Sequence, residues 1–345
     1  MKHIKSLDGL RAIAVLLVLY YHWNGGDFWG IKIELGTLGV YIFFVLSGFL
    51  ISNLLLNQKN EGLLTKLKKF YLKRVLRILP IYYIFILILY TIDYDNIRTD
   101  IFFYIFHIQN YLFYVKQVSP FITHLWSLAV EEQFYLFWPL LLLLLKKKHI
   151  LTFCLLIIII TPIGNIVFKH FYNHYAFVLS IFAFEGFAWG YIATILMNRN
   201  INFIPYFFLS SFFLIVYILT TSSFDIDISF IERTIYSFFS FTLLLLIISN
   251  KSEKLKKFCE LKYLVFIGKI SYGIYLFHRV IPELYLYFHE IAVQNNIRVP
   301  FLKIIILPYL PGHYMILIYF PITLCIAIIS FYLIESPLLK LKTKI

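Results

Sequence analysis

Charge is scarce in this sequence. Only 14% of its 345 residues are Asp, Glu, Lys or Arg, against 61% hydrophobic residues and a mean hydropathy of +0.82. That leaves too little polar surface to coat a water-soluble globule of this size. Cysteine is scarcer still. Cys154, Cys259 and Cys325 make an odd total with no CxxC spacing, which supports neither a disulfide framework nor a cysteine zinc site, and no metal is expected. Small residues suited to signal-peptide cleavage are missing after the first apolar run, where Tyr20, Tyr21, His22 and Trp23 stand instead. The run is therefore read as a retained span. No internal repeat is visible, and the charged positions are scattered, so no sizeable soluble domain is expected.

What the chain does have is apolar runs of spanning length. Ten occur, near 7–23, 38–56, 79–92, 126–145, 150–168, 175–197, 203–220, 234–248, 263–280 and 314–334. They predict an all-α membrane helix bundle of about ten transmembrane helices. Two further stretches, 101–115 and 301–310, are short and interrupted by His107, Gln109 and Asn110 or by Lys303 and Pro308, and are read as interfacial or re-entrant pieces. The formal charge of +13 then sets topology rather than pointing to nucleic acid. With ten spans, the basic clusters at 66–77, 146–148, 251–269 and 340–344 fall on the side of the N-terminus, which places both termini in the cytoplasm.

Ionisable residues inside apolar runs usually face the bundle interior. Arg11 and His22 are eleven positions apart, so they share one helix face about 16 Å apart along the axis, and Asp8 lies one turn before Arg11. Snorkelling and an interfacial His beside Trp23 are the plainer readings for each alone; together they favour a polar cleft lined by the first helix. In the second run, Gly39, Ser47 and Gly48 suit close helix packing rather than chemistry. Arg74 and Arg77, one turn apart in a basic segment, either rest on anionic lipid or grip phosphate oxygens together. Ser127, Glu131 and Tyr135 recur every four residues as one polar stripe, with Glu132 and His124 pointing elsewhere. Glu185, His278 and Glu335 are further candidates, each open to a structural reading; an intramembrane Glu185 needs a partner or a water-filled cavity.

Six segments taken together carry a resemblance: Asp8-Gly9-Leu10-Arg11 followed by His22, FFVLSGF at 43–49, RVLRILP at 74–80, WSLAVEEQFY at 126–135, SYGIYLFH at 271–278 and ESP at 335–337. In this order, over nearly the whole chain, they resemble the acyltransferase-3 family of integral-membrane acyltransferases, which includes bacterial O-antigen and exopolysaccharide O-acetylases. Two positions depart from many relatives. Ser336 stands where a basic residue is common, and no arginine shortly precedes Glu185.

The resemblance implies a bacterial inner-membrane protein; as the sequence ends just after the tenth apolar run, a single membrane domain, 1–345, without the periplasmic hydrolase-like domain fused to some relatives is expected. The resemblance also implies His22 as the catalytic histidine, Arg11 as its partner and Arg74 with Arg77 as a cytoplasmic-side pair; in the mechanism expected from these residues, Glu131 or Glu132 orients His22 or the acceptor. The expected reaction moves an acetyl group from cytoplasmic acetyl-coenzyme A to a hydroxyl of a cell-surface or lipid-linked carbohydrate, as in lipopolysaccharide modification or polysaccharide biosynthesis. A proton-coupled transporter using Arg11, His22, Glu131 and Glu185 is the alternative, and a structural partner in a polysaccharide assembly complex a third.

Overall fold

The computed structural model describes residues 3–28, 31–57, 62–116, 118–171, 177–223, 228–249, 251–283 and 312–341. The chain opens with α1 (Lys5–Asn24), which ends where Gly25 takes a left-handed conformation (φ 66°), and a two-residue antiparallel pair (Asp27–Phe28, Ile31–Lys32) follows. The next helices are α2 (Leu35–Asn57), α3 (Leu63–Thr91), α4 (Ile97–Ile105), α5 (Gln109–Val115), α6 (Pro120–Thr123), α7 (Leu125–Leu144) and α8 (Lys147–Phe171). Then come α9 (Ser180–Leu196), α10 (Ile204–Ser223), α11 (Glu232–Ile248), α12 (Glu253–Cys259), α13 (Lys262–Lys269) and α14 (Ser271–Phe277). Beyond the next described stretch begin α15 (Gly312–Ser330), a π-helical turn (Phe331–Glu335) and α16 (Ser336–Leu341).

Each of the ten apolar runs contains helix among its described residues, and the protein is a multi-pass membrane bundle. Six helices are long and apolar enough to cross a membrane, or eight if each of two bent pairs counts as one span. The two runs that fall short of the ten have physical reasons. Lys5, Asp8 and Arg11 dilute α1, and α9 is only 17 residues long. One bent pair is α13 with the helix that starts at Ser271, 59° apart; the other joins α3 to the segment Tyr94–Ile105 through a turn of 116°. Such a bend marks either a broken span or a re-entrant loop. Two of the polar residues interrupting 101–115 are used inside the protein: Gln109 Nε2 donates to the Leu125 carbonyl (3.0 Å), and Asn110 Nδ2 donates to the Val178 carbonyl (3.1 Å). Gln133 Nε2 closes the arrangement by donating to the His107 carbonyl (2.7 Å) and to Asn110 Oδ1 (2.9 Å). The second interrupted stretch, 301–310, lies outside the described residues.

Burial sorts the helices. The spanning stretch of α2 is 78% buried, whereas those of α8 and α10 are 17% buried, so α2 forms the centre and the other two present apolar side chains to lipid. α1 packs beside α2 and against α12, α13, α14 and α15. Its closeness to α12 and α13 depends on glycine. A Cβ on Gly9 would sit 1.8 Å from the Cys259 carbonyl oxygen, and one on Gly268 would sit 1.8 Å from that of Asp8. The same device joins α2 to α9, where a Cβ on Gly48 would lie 2.3 Å from the Phe187 carbonyl oxygen. Backbone atoms cannot yield as a flexible side chain can. Gly48→Ala is therefore expected to destabilise the bundle by about 1–3 kcal/mol or more, read as a lower melting temperature of detergent-solubilised protein; an unchanged melting temperature would refute this packing account.

Candidate active site

Two cavities meet in the middle of the bundle. The smaller, about 70 Å³, gathers Arg11 from α1, Ser47 from α2, Arg74 and Arg77 from α3, and Ser127, Glu131 and Tyr135 from α7. The i, i+4 stripe of α7 and the one-turn arginine pair of α3 thus converge on one space. Ser47 Oγ donates to Glu131 Oε1 (2.8 Å). Because its single proton is spent there, the 3.0 Å contact with Tyr135 is one in which the phenol donates to Ser47 Oγ. The Arg74 guanidinium lies 4.5 Å above the centre of the Tyr135 ring. Stacking uses the face of the guanidinium and leaves its N–H fork for an anion. Arg11 is steadied by Asp8, which accepts from its Nη1 at 3.1 Å, while His3 Nε2 contacts the other Asp8 oxygen at 2.6 Å.

The larger cavity, about 680 Å³, lies toward the other end of α1 and is lined by His22, His124, Glu34, Glu232, Arg233 and Arg279 among apolar and aromatic walls. Here hydrogen bonding fixes which nitrogen of His22 carries a proton. His278 Nδ1 lies 2.6 Å from the Tyr275 carbonyl oxygen. A carbonyl only accepts, so Nδ1 is the protonated nitrogen of His278, and its Nε2 is an acceptor in the neutral ring. His22 Nδ1, 2.7 Å from that Nε2, must then be the donor. The chain of bonds leaves His22 Nε2 with a lone pair. Trp23 Nε1 donates to the His278 carbonyl (3.0 Å), tying the next residue of α1 to the same point, and His278 is fully buried.

Val40 and Tyr275 line both cavities and separate them. The Tyr275 hydroxyl is 2.6 Å from Ser127 Oγ, which in turn donates to the His124 carbonyl at 3.1 Å. Where the sequence predicts one polar cleft along α1, the structure has two compartments, with Arg11 in one and His22 in the other. Ser47, read from sequence as a packing residue, is bonded to Glu131.

The remaining candidates lie elsewhere. Glu132 lines neither cavity. Glu185 is fully buried and accepts from Trp189 Nε1 (3.3 Å) and Thr234 Oγ1 (3.0 Å), bridging α9 and α11. Glu335, in the π-helical turn, accepts from Ser330 Oγ at 3.4 Å. Among the cysteines, Cys259 is packed against Gly9, and burial pushes its thiol up to about 11, so it stays protonated. Sequence reasoning passed over Glu34, Glu232, Arg233, Tyr275 and Arg279. The signal for two of them was present: Glu232 and Arg233 are adjacent charges at the entrance to an apolar run, the same pattern that singled out Glu131 and Glu132.

A Staphylococcus aureus (strain COL) protein provisionally assigned as an O-acetyltransferase is 41% identical over 155 residues, which are 41% of this chain and 25% of that protein. The peptidoglycan O-acetyltransferase OatA of Listeria monocytogenes is 40% identical over 153 residues, 40% of this chain and 24% of its own length. YrhL of Bacillus subtilis, provisionally assigned as a peptidoglycan O-acetyltransferase, is 36% identical over 158 residues, 40% of this chain and 24% of its own length. The matched region thus spans about a quarter of the length of each of these relatives. No solved structure matches the chain. A family profile described as an acyltransferase domain matches residues 4–334, and with nearly the whole chain covered the protein belongs to the acyltransferase-3 family.

Proposed function

We propose that this protein is an O-acetyltransferase of the bacterial inner membrane that moves an acetyl group from acetyl-coenzyme A to a hydroxyl of a cell-surface or lipid-linked carbohydrate. The observation that carries the reading is the His22–His278–Tyr275 chain, which leaves the Nε2 lone pair of a neutral imidazole at the larger cavity. Family membership supports the reaction class, and the peptidoglycan named for OatA supports a carbohydrate acceptor.

A hydroxyl is a weak nucleophile, and a positioned imidazole that takes its proton contributes about 10²- to 10⁴-fold. His22 Nε2 accepts the proton as the hydroxyl oxygen attacks the thioester carbonyl, and the new ester bond forms as the carbon–sulfur bond breaks. His22 then returns the proton to the departing thiolate, so the products are the acetyl ester and free coenzyme A. While His22 is cationic, its Nδ1–H bond to His278 spreads the charge toward the Tyr275 carbonyl. Arg11, Arg74 and Arg77 receive the phosphates of the donor in the smaller cavity. The long pantetheine arm then reaches past Val40 and Tyr275, which requires the Tyr275–Ser127 contact to yield.

Purified protein in nanodiscs, given acetyl-coenzyme A and isolated cell-wall or lipid-linked glycan, is expected to release the free thiol and add acetyl mass to the glycan without any ion gradient. Gradient-dependent solute movement with the thioester left intact would replace this reading with transport.

A further inference from the structure

Four charged side chains at the larger cavity have no part in the proton transfer described above: Glu34, Glu232, Arg233 and Arg279. Two of them carry a polar atom that no described residue satisfies. Among the described residues, Arg233 Nη1 and Glu232 Oε1 are buried without a hydrogen-bond partner, although Arg233 as a whole is only 8% exposed. Buried polar atoms are almost always paired, and exceptions at a cavity wall point to a ligand. The Arg233 guanidinium is held 5.6 Å from the centre of the Phe177 ring, so its fork is already oriented.

We propose that this cavity is the acceptor site and that Arg233 and Glu232 hold the hydroxyl and amide groups of an uncharged sugar; the inference rests on the acyl-transfer reading and adds the acceptor subsite to it. The charge pattern selects the class. A phosphorylated ligand drawn to Arg233 and Arg279 would also face the carboxyl oxygens of Glu34 and Glu232 in the same space, which accept hydrogen bonds and offer a phosphate oxygen nothing. A lipid tail would leave the orphaned Arg233 Nη1 and Glu232 Oε1 without partners. A neutral sugar offers both donors and acceptors, matching a carboxylate that accepts and a guanidinium that donates. Its C–H faces also suit the aromatic walls formed by Phe113, Trp126 and Phe177. At about 680 Å³ the cavity is within the size of ordinary small-ligand sites, and His22 lies on its wall, where a bound sugar hydroxyl needs its base.

The test uses full-length protein in nanodiscs with a tetramer of N-acetylglucosamine as the probe, comparing wild type, Glu232→Gln and Thr37→Trp. Thr37 lines the cavity and carries no charge, so its enlargement blocks the space by bulk alone. Both variants are expected to raise the KM for the tetramer about 10- to 100-fold, the effect of losing one hydrogen bond to a charged group or an equivalent contact. Binding of acetyl-coenzyme A, whose phosphates sit in the smaller cavity, should stay within about threefold. Unchanged KM in both variants overturns the proposal, as does wild-type protein that binds acetyl-coenzyme A but shows no saturation-transfer NMR signal from the tetramer. Wild-type protein that binds the tetramer but neither binds nor cleaves acetyl-coenzyme A would instead overturn the acyl-transfer reading, leaving a sugar site without that chemistry.

Discussion

Replacing His22 with alanine should lower acetyl transfer by about 10²- to 10⁴-fold, the contribution of a positioned general base, while protein level in the membrane and KM for acetyl-coenzyme A stay close to wild type. The donor affinity is expected to survive because His22 and the arginines line different cavities, with Arg11 about 16 Å from His22 along the helix. His278→Ala is the companion variant. It removes the group that fixes the His22 tautomer but leaves the imidazole in place. Because His278 is neutral, unlike the buried aspartate of a serine-protease triad, the expected loss is smaller, about 10- to 100-fold in kcat. Full transfer by a stably inserted His22→Ala protein, measured by acetyl mass on the glycan, would remove His22 from the chemistry. Equal losses in both variants would instead show that the two rings act as one unit.

Much of this arrangement was legible before the structure, and the reason is periodicity. Arg11 and His22, Arg74 and Arg77, and Ser127, Glu131 and Tyr135 each sit at helical spacings, so their shared faces follow from 3.6 residues per turn. Contacts between helices have no such signature. His22 and His278 are 256 positions apart, and Ser47 and Glu131 are 84 apart; nothing local to either member announces the other. The division of one cleft into two cavities was equally hidden, because it depends on Tyr275 of α14 meeting Ser127 of α7. In the interrupted segment 101–115, unpaired Gln109 and Asn110 would be costly in lipid, and both are bonded inside the protein. Glu232 and Arg233 escaped notice because a charge pair at the start of an apolar helix has a sufficient plain explanation in the helix dipole. Their orphaned atoms together with their place on the wall of the larger cavity, both properties of packing, set them apart.

The arginine pair should give the opposite kinetic pattern from the acceptor cavity. Arg74→Ala or Arg77→Ala removes charge-assisted hydrogen bonds to phosphate, each worth about 1.5–3 kcal/mol, so each variant is expected to raise the KM for acetyl-coenzyme A about 10- to 100-fold. The double variant should exceed either alone, with some coupling because both side chains line one small cavity. Arg74→Lys separates charge from geometry. Lysine keeps the positive charge, but it loses the planar face that stacks on Tyr135 and the fork that meets two oxygens at once. It is therefore expected to recover only part of the affinity, and raising the salt concentration should weaken what remains more than it weakens wild type. The KM for the sugar tetramer should stay near wild type in all of these variants, just as the KM for acetyl-coenzyme A stays near wild type in Glu232→Gln. If the arginine variants instead raise both KM values together, the two cavities exchange ligands, and the Val40–Tyr275 partition is not the boundary between donor and acceptor.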